Sequence, residues 1–456
     1  MKIAWLTPLS RTSGISRYSL AVARSLGALN DVEVDIWYPD TGDDFACPWA
    51  RARALGRDGQ PSLAAYDAVF YNLGNYYLNH AEIYECYLQQ PGFVVLHDKV
   101  MQGFFFGYAN EVLNDPLVYV RLMRYVYGAE AQRFAVDGLL QGQSTAFWEK
   151  AGAEYPLFEP CLFNATGVVT HSAETVALVD GRYPGLLPIL ELPLPHFIYD
   201  MDYSGKPLLT RAELELPADK VVLVAAGRFG AQKRLDITMR AIAGDPELRA
   251  KTVLIIAGGG QEEYLAYLRA LAKELGIGEG VRFVVEPDDR TMHSLVKAAD
   301  VAINLRYPST ESGSASLVEQ LNFGSPTIVT RVGAYDEFPD ELLVKIEMAD
   351  EAESLRAALH RLVHDPDERA RLSKAASTYA ADNFSPDRYA ESIVGFVEST
   401  EAQRATLAGV DAAAAEMCAS EEGDWEARAE RIAECMAADL APDCDVEGEA
   451  ESKPEL

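Results

Sequence analysis

The chain has 456 residues, 49% of them apolar and 24% charged, enough for packed cores in two or three domains and too ordered a composition for wholesale disorder. A formal charge of −30 repels phosphate backbones and anionic headgroups, which argues against nucleic acid or a polybasic membrane patch as the main partner. No apolar run approaches the roughly 20 residues that span a bilayer, and six scattered cysteines with no C-x-x-C pair read as reduced thiols of a cytosolic protein.

The opening KIAWLTP reads as a strand and not as a signal peptide, because one lysine precedes a short apolar run that meets Pro8 at once. GISRYSLAVARSLGAL follows as an amphipathic helix, and VEVDIWYP, AVFYNLG, GFVVLH and GVVTHS are further short apolar runs. Strands that alternate with helices predict crossover units and a parallel sheet. Residues 100–160 interrupt the pattern with a helical, aromatic-rich stretch, too polar for a membrane span, that covers one side of a cleft. Its Phe104–Phe106 cluster reads as core.

Residues 1–195 therefore form a first Rossmann-like domain and residues 196–220, rich in proline and turn formers, a linker. The same grammar restarts over 221–380: VVLVAAG, TVLIIAGGG, VRFVV, DVAINL and SPTIVT are strands with amphipathic helices between them. Residues 381–400 are a C-terminal helix expected to return to the first domain. Residues 401–456 hold 16 acidic and 4 basic side chains, two fifths of the net charge, and form an acidic tail, partly helical or disordered. Trp425, Ile432, Met436 and Leu440 mark an amphipathic helix within it, for docking on the body or on a partner. The fold class is α/β: two doubly wound sheets facing each other across a cleft, with ligands expected beyond the carboxyl ends of the strands.

Two such loops carry chemistry. GRFGAQKRLD sets Arg228 and Lys233 five residues apart after a buried strand, where two cations can clamp a diphosphate and counter the charge of a departing phosphate. RYPSTESGSASLVEQLNFGSP sets Glu311 and Glu319 eight apart, a little over two helical turns, with Ser312, Gly313 and Ser314 at a helix opening whose free N–H groups favour a phosphate. One carboxylate can grip sugar hydroxyls and the other the ribose of a nucleotide. The glycines 258–260 allow a tight turn after a strand, and His171 reads as structural.

Together with the VLIIAGGG strand end, these motifs resemble the donor half of family-4 retaining glycosyltransferases of the GT-B architecture. LSRTSGIS, with Gly14, the His97-Asp98 pair at a strand end, and GVVTHSAE extend the resemblance over roughly residues 1–400. It implies that 1–195 is the acceptor side and 221–380 the nucleotide-sugar donor domain. Arg228, Lys233, the amides near Gly313 and Ser314, and Gly14 across the cleft would hold the diphosphate. Glu311 would touch the transferred sugar, Glu319 the ribose and His97 the sugar being moved, while main chain at Val284–Pro287 would hold the base. The chain departs from the family in having Ser13-Gly14 for a glycine pair and Ser-Gly-Ser for Gly-Phe-Gly after Glu311.

The expected activity is retaining transfer of a hexosyl unit from a nucleotide-diphosphate sugar, the co-substrate, to a glycan, polymer or lipid-linked acceptor. The setting is the cytoplasm or the inner face of the cell membrane, with peripheral membrane or partner-protein contact left open. No cofactor is expected, and no Asp-x-Asp is placed to hold a catalytic metal. A non-catalytic GT-B paralogue that stabilises an active partner is the alternative; it would be marked by loss of Arg228, Lys233 or Glu311, and all three are present.

Overall fold

The computed structural model describes residues 1–10, 13–40, 50–56, 61–197 and 205–401. Met1–Phe396 form one compact unit that contains two sheets. The amphipathic segment expected around Trp425–Leu440 lies outside the described residues.

The first sheet comprises β1 (Lys2–Leu6), β2 (Glu33–Tyr38), β3 (Arg51–Ala54), β4 (Ala68–Leu73), β5 (Gly92–Leu96), β6 (Ala165–Thr170) and β7 (Ile189–Glu191). Their spatial order is β3-β2-β1-β4-β5-β6-β7, and every neighbouring pair is parallel. The second comprises β8 (Val221–Ala226), β9 (Thr252–Gly258), β10 (Val281–Val285), β11 (Val301–Asn304), β12 (Thr327–Thr330) and β13 (Leu343–Ile346). Its order is β10-β9-β8-β11-β12-β13, again all parallel. The fold is thus the two doubly wound Rossmann-like lobes expected from the alternation of strands and helices.

Three strands, β3, β7 and β13, were not visible in the apolar pattern. All three lie at sheet edges, where a strand has one neighbour and needs no long apolar run; RARA is half exposed, and LVKI is broken by its lysine. The central strands are buried on both faces and read as continuous apolar segments.

Residues 102–154 are mostly helical, in the segments Gln102–Gly107, Tyr108–Val112 (a π turn), Pro116–Tyr127, Ala129–Gln141 and Thr145–Glu154. Phe104 and Phe105 are buried in the first-lobe core, and Phe106 packs edge-on to Tyr119 and Trp148. The helix Pro386–Ser399 meets the first lobe: the Tyr389 and Tyr18 hydroxyls are 2.7 Å apart, and Ser25 Oγ donates to Asp387 Oδ1 at 2.6 Å.

Candidate active site at the strand ends

Each sheet reverses strand order between its first strand and the next one laid beside it, β1 and β4 in one lobe, β8 and β11 in the other. The loops leaving those four strands diverge and open a crevice at their carboxyl ends. Gly14, His97, Lys233 and Glu311 all lie on loops or turns that follow β1, β5, β8 or β11.

The second lobe contributes a helix opening. Ala315–Asn322 is capped by Ser314, whose hydroxyl accepts from Leu317 N–H at 3.3 Å. Lys233 ends a short 3₁₀ turn after β8 and is buried, at 9% exposure. Its ammonium donates to Ser316 Oγ at 3.5 Å, and Ser316 Oγ lies 3.3 Å from Ser314 Oγ and 3.2 Å from Asn304 Nδ2. Burial, and next the Arg306 charge, push the lysine down to about 7. An arriving anion would therefore raise it again and gain accordingly. Arg228 stands differently. Its side chain is exposed on the rim, with the guanidinium 5.8 Å from the ring centre of Tyr76 in the first lobe. Of the two expected cations, Lys233 is built into the helix opening and Arg228 overhangs it.

Glu311 is the centre of an ion pair that sequence reasoning missed. Arg306 Nε lies 2.8 Å from Glu311 Oε1, the Tyr335 hydroxyl donates to the same oxygen at 2.8 Å, and Arg306 Nε–H donates to Tyr335 Oη at 3.3 Å. Burial alone would raise the Glu311 carboxyl, but Arg306 and then Lys233 outweigh it and hold it below the usual range. Burial likewise opposes the Arg306 charge, and Glu311, Tyr335 and Asp98 overcome it. The available signal was its place two residues beyond the fully buried strand β11, in the same loop as Glu311. Gly14 opens the helix Gly14–Ala28, and a Cβ built on it would lie 3.6 Å from Ala315 Cβ. Two helix N-termini, one from each lobe, thus face the same spot.

Ser312 and Gly313 hold the lobes together. Ser312 N–H donates to His97 O at 2.8 Å and its hydroxyl to Leu96 O at 2.7 Å, while Lys99 N–H donates to Thr310 O at 2.9 Å. Asp98 and Glu311 form an antiparallel bridge. A Cβ on Gly313 would lie 2.8 Å from His171 Cβ and 2.9 Å from Leu194 Cδ1, so only glycine lets the first lobe approach this closely. The Ser-Gly-Ser sequence has a packing reason, and the Ser312 hydroxyl is already committed.

Glu319 sits deeper on the helix and is buried. His293 Nε2 is 3.1 Å from Glu319 Oε1, and Arg17 of the first lobe reaches the same oxygen at 3.9 Å while pairing with Asp289. His97 is buried and neutral: burial, then the neighbouring His171, push it well below its usual range. The Asn72 amide donates to Leu6 O at 2.9 Å, so its Oδ1 accepts from His97 Nε2 at 3.0 Å; that assignment puts the His97 proton on Nε2 and leaves Nδ1 as an acceptor. The Asn72 carbonyl lies 2.9 Å from His80 Nδ1. His171 Nδ1 is 3.0 Å from Leu192 O, and burial lowers it to about 4. Asp98 accepts from Asn75 N–H at 2.8 Å, yet burial raises it to about 7 against that hydrogen bond, with Glu311 adding to the rise.

The 258–260 glycines serve backbone contact. A Cβ on Gly258 would sit 1.9 Å from Gly227 O, and Phe229 N–H donates to Gly259 O at 2.6 Å. Glu286 N–H donates to Gly258 O at 2.8 Å, and Val285 is exposed beside it.

Residues 209–379 match the family described as "Glycosyl transferases group 1". A D-inositol 3-phosphate glycosyltransferase of Saccharomonospora viridis is 35% identical over 188 residues, 39% of this chain and 42% of that protein. The one from Streptosporangium roseum is 31% identical over 225 residues, 47% of this chain and 50% of that protein. The chain thus matches half or less of the length of these curated relatives. Among solved structures, sucrose-phosphate synthase from Thermosynechococcus elongatus superposes with a TM-score of 0.61 at 18% identity, over 88% of this chain and 100% of that one. Anabaena HepE, solved with UDP-glucose, gives 0.57 at 15% identity, with the same coverage. The likeness extends across both lobes and is the GT-B fold that the resemblance implied.

Proposed function

We propose that this chain is a glycosyltransferase that moves a hexosyl unit from a nucleotide-diphosphate sugar to a hydroxyl of a glycan, polymer or lipid-linked acceptor, with retention of configuration. It works in the cytosol, and at the inner face of the membrane when the acceptor is lipid-linked. One observation carries the reading: a buried lysine, short of compensating charge, stands at an open helix N-terminus beside a buried carboxylate. A pyrophosphate between Lys233 and the amides of Gly313 and Ser314 satisfies both.

The chemistry then follows the charges. The bond from the anomeric carbon to the phosphate oxygen breaks through an oxocarbenium-like state, and its electron pair leaves with the nucleotide diphosphate. Lys233, the helix opening, the Gly14 backbone and Arg228 at the rim take up that charge without a metal. The acceptor oxygen bonds to the anomeric carbon on the face just vacated, and its proton passes to the departing phosphate. Glu311, ionised and held by Arg306 and Tyr335, grips sugar hydroxyls. Glu319 exchanges Arg17 for the ribose, and His97 accepts from the sugar at Nδ1. The base rests on main chain at Val284–Pro287.

The test is a panel of UDP-, GDP- and ADP-sugars, with UDP-glucose, the ligand of the HepE structure, first. Release of nucleotide diphosphate from one donor is expected. Neither release nor binding across the panel would contradict the reading.

A further inference from the structure

At the amino edge of the second sheet, two imidazoles and two carboxylates come together. His360 and His364 are four residues apart on the helix Glu351–His364 and share a face, with parallel rings 5.8 Å apart. Opposite them the short helix Pro246–Lys251 begins, capped by Asp245. His360 Nε2 is 2.5 Å from Asp245 Oδ2, and His364 Nε2 is 3.2 Å from Glu247 Oε1. Donor atoms of Glu247, His360 and His364 all lie within 4.8 Å of one another. The cluster also recruits a cation already: the Lys251 ammonium is 2.8 Å from Glu247 Oε1 and 3.2 Å from His364 Nδ1.

The geometry points to a divalent transition-metal site, zinc in class, held by His360, His364 and Glu247, with Asp245 as the fourth donor or as the group that orients His360. Imidazole with carboxylate suits zinc, nickel or copper, whereas magnesium and calcium prefer oxygens alone. A tetrahedral ion with bonds of about 2.1 Å holds its donors about 3.4 Å apart, so side-chain movements of about 1 Å close the site. Asp245 Oδ1 accepts from Glu247 and Leu248 N–H at 2.9 and 3.1 Å, which fixes that carboxylate with Oδ2 toward the imidazole. Lys251 is half exposed; the metal takes its place and the ammonium swings into water.

The site lies at the start of β9, which runs seven residues from Thr252 to Gly258. At about 3.3 Å per residue, some 20 Å of strand separates it from the cleft. A metal here staples the helix Glu351–His364 to the segment that leads into β9. It acts on the stability of the second lobe and not on the sugar chemistry.

The test uses the full-length protein stripped with chelator and titrated with zinc chloride, read by calorimetry and by thermal shift. The wild type should bind saturably and rise in Tm, with no such response to magnesium chloride. H360A/H364A should lose this binding and the shift while keeping the metal-free Tm, and K251M should bind more tightly. Cobalt chloride on the wild type should give visible ligand-field bands without thiolate charge transfer, which separates imidazole ligation from capture by cysteines. No saturable zinc binding, binding undiminished in H360A/H364A, or a thiolate spectrum would each overturn the proposal. Donor turnover is not a readout here, so failure of this site leaves the glycosyltransferase reading untouched.

Discussion

The two lobes share one topology but fill it differently. The first is packed with aromatics: Trp5, Phe70 and Phe93 stack in series at 5.1 and 4.9 Å, and Tyr84, Phe104, Phe105, Tyr108 and Tyr119 fill the space beneath the helical segment. The second is aliphatic, built on Leu223, Leu254, Ile256, Leu268 and Ile328. The difference extends to the crevice. The first lobe presents three histidines, His80, His97 and His171, all pushed low by burial, together with Asp98 and Arg17; the second presents Lys233, Arg306, Glu311 and Glu319. The second lobe therefore supplies most of the charge, and the buried histidines opposite strengthen it by excluding water.

Breaking the charged side should hurt most. Arg306→Met leaves Glu311 as a buried carboxylate without its guanidinium, and should cost about 3–5 kcal/mol of stability, measured by denaturant unfolding; an unchanged midpoint would remove Arg306 from the pair. Lys233→Ala should lower donor turnover about 10²–10³-fold while leaving the circular dichroism spectrum intact, and equal turnover would sink the diphosphate assignment. Arg228→Ala, at the exposed rim, should cost less than Lys233→Ala in the same assay.

The first lobe is probed more gently. A Cβ on Gly14 makes only ordinary contact with Ala315, so Gly14→Ala should keep its Tm but lose roughly 10²-fold or less in donor turnover; loss of Tm instead would make the glycine a folding requirement. Burial raises Asp98 from the ordinary aspartate range to about 7, so the folded state binds more protons across that interval and its stability falls as pH rises through it. Asp98→Asn should therefore be more stable than the wild type at pH 8 and lose that advantage near pH 4, with a Tm difference of about 2–4 °C per kcal/mol. A constant difference across pH would show that the carboxyl does not titrate there.

The same contrast explains what could be read in advance. The charged loops of the second lobe lie within contiguous segments, so the spacing, taken with the family resemblance, singled out Lys233, Glu311, Ser314 and Glu319 as candidates. Arg306 belonged to the same loop but was hidden by its place at a strand end, and Tyr335 reaches Glu311 from 24 residues away. Ser312 and Gly313 are expected donor contacts because the free N–H groups of a helix opening favour a phosphate; that they also pack against Leu96, His97 and His171 of the other lobe is an approach no local pattern reports. Asn72, which fixes the His97 proton, was invisible for the same reason. The edge strands escaped because an edge needs little apolar run. His360 and His364 sit in an H-x₃-H on an amphipathic helix, a signal that becomes meaningful only when Glu247 is seen opposite.

The most direct test of the account is the pH dependence of nucleotide-diphosphate binding, measured by calorimetry with UDP, GDP and ADP and followed for the tightest binder. Burial holds Lys233 at about 7, and pairing with a pyrophosphate raises it, so binding above that pH takes up a proton. Affinity for the wild type should fall by up to tenfold per unit as pH rises above 7, with proton uptake visible in buffers of different ionisation enthalpy, and Lys233→Met should bind weakly without that dependence. Wild-type and Lys233→Met proteins that bind alike, with the same pH profile, would contradict the claim that this buried ammonium meets the diphosphate.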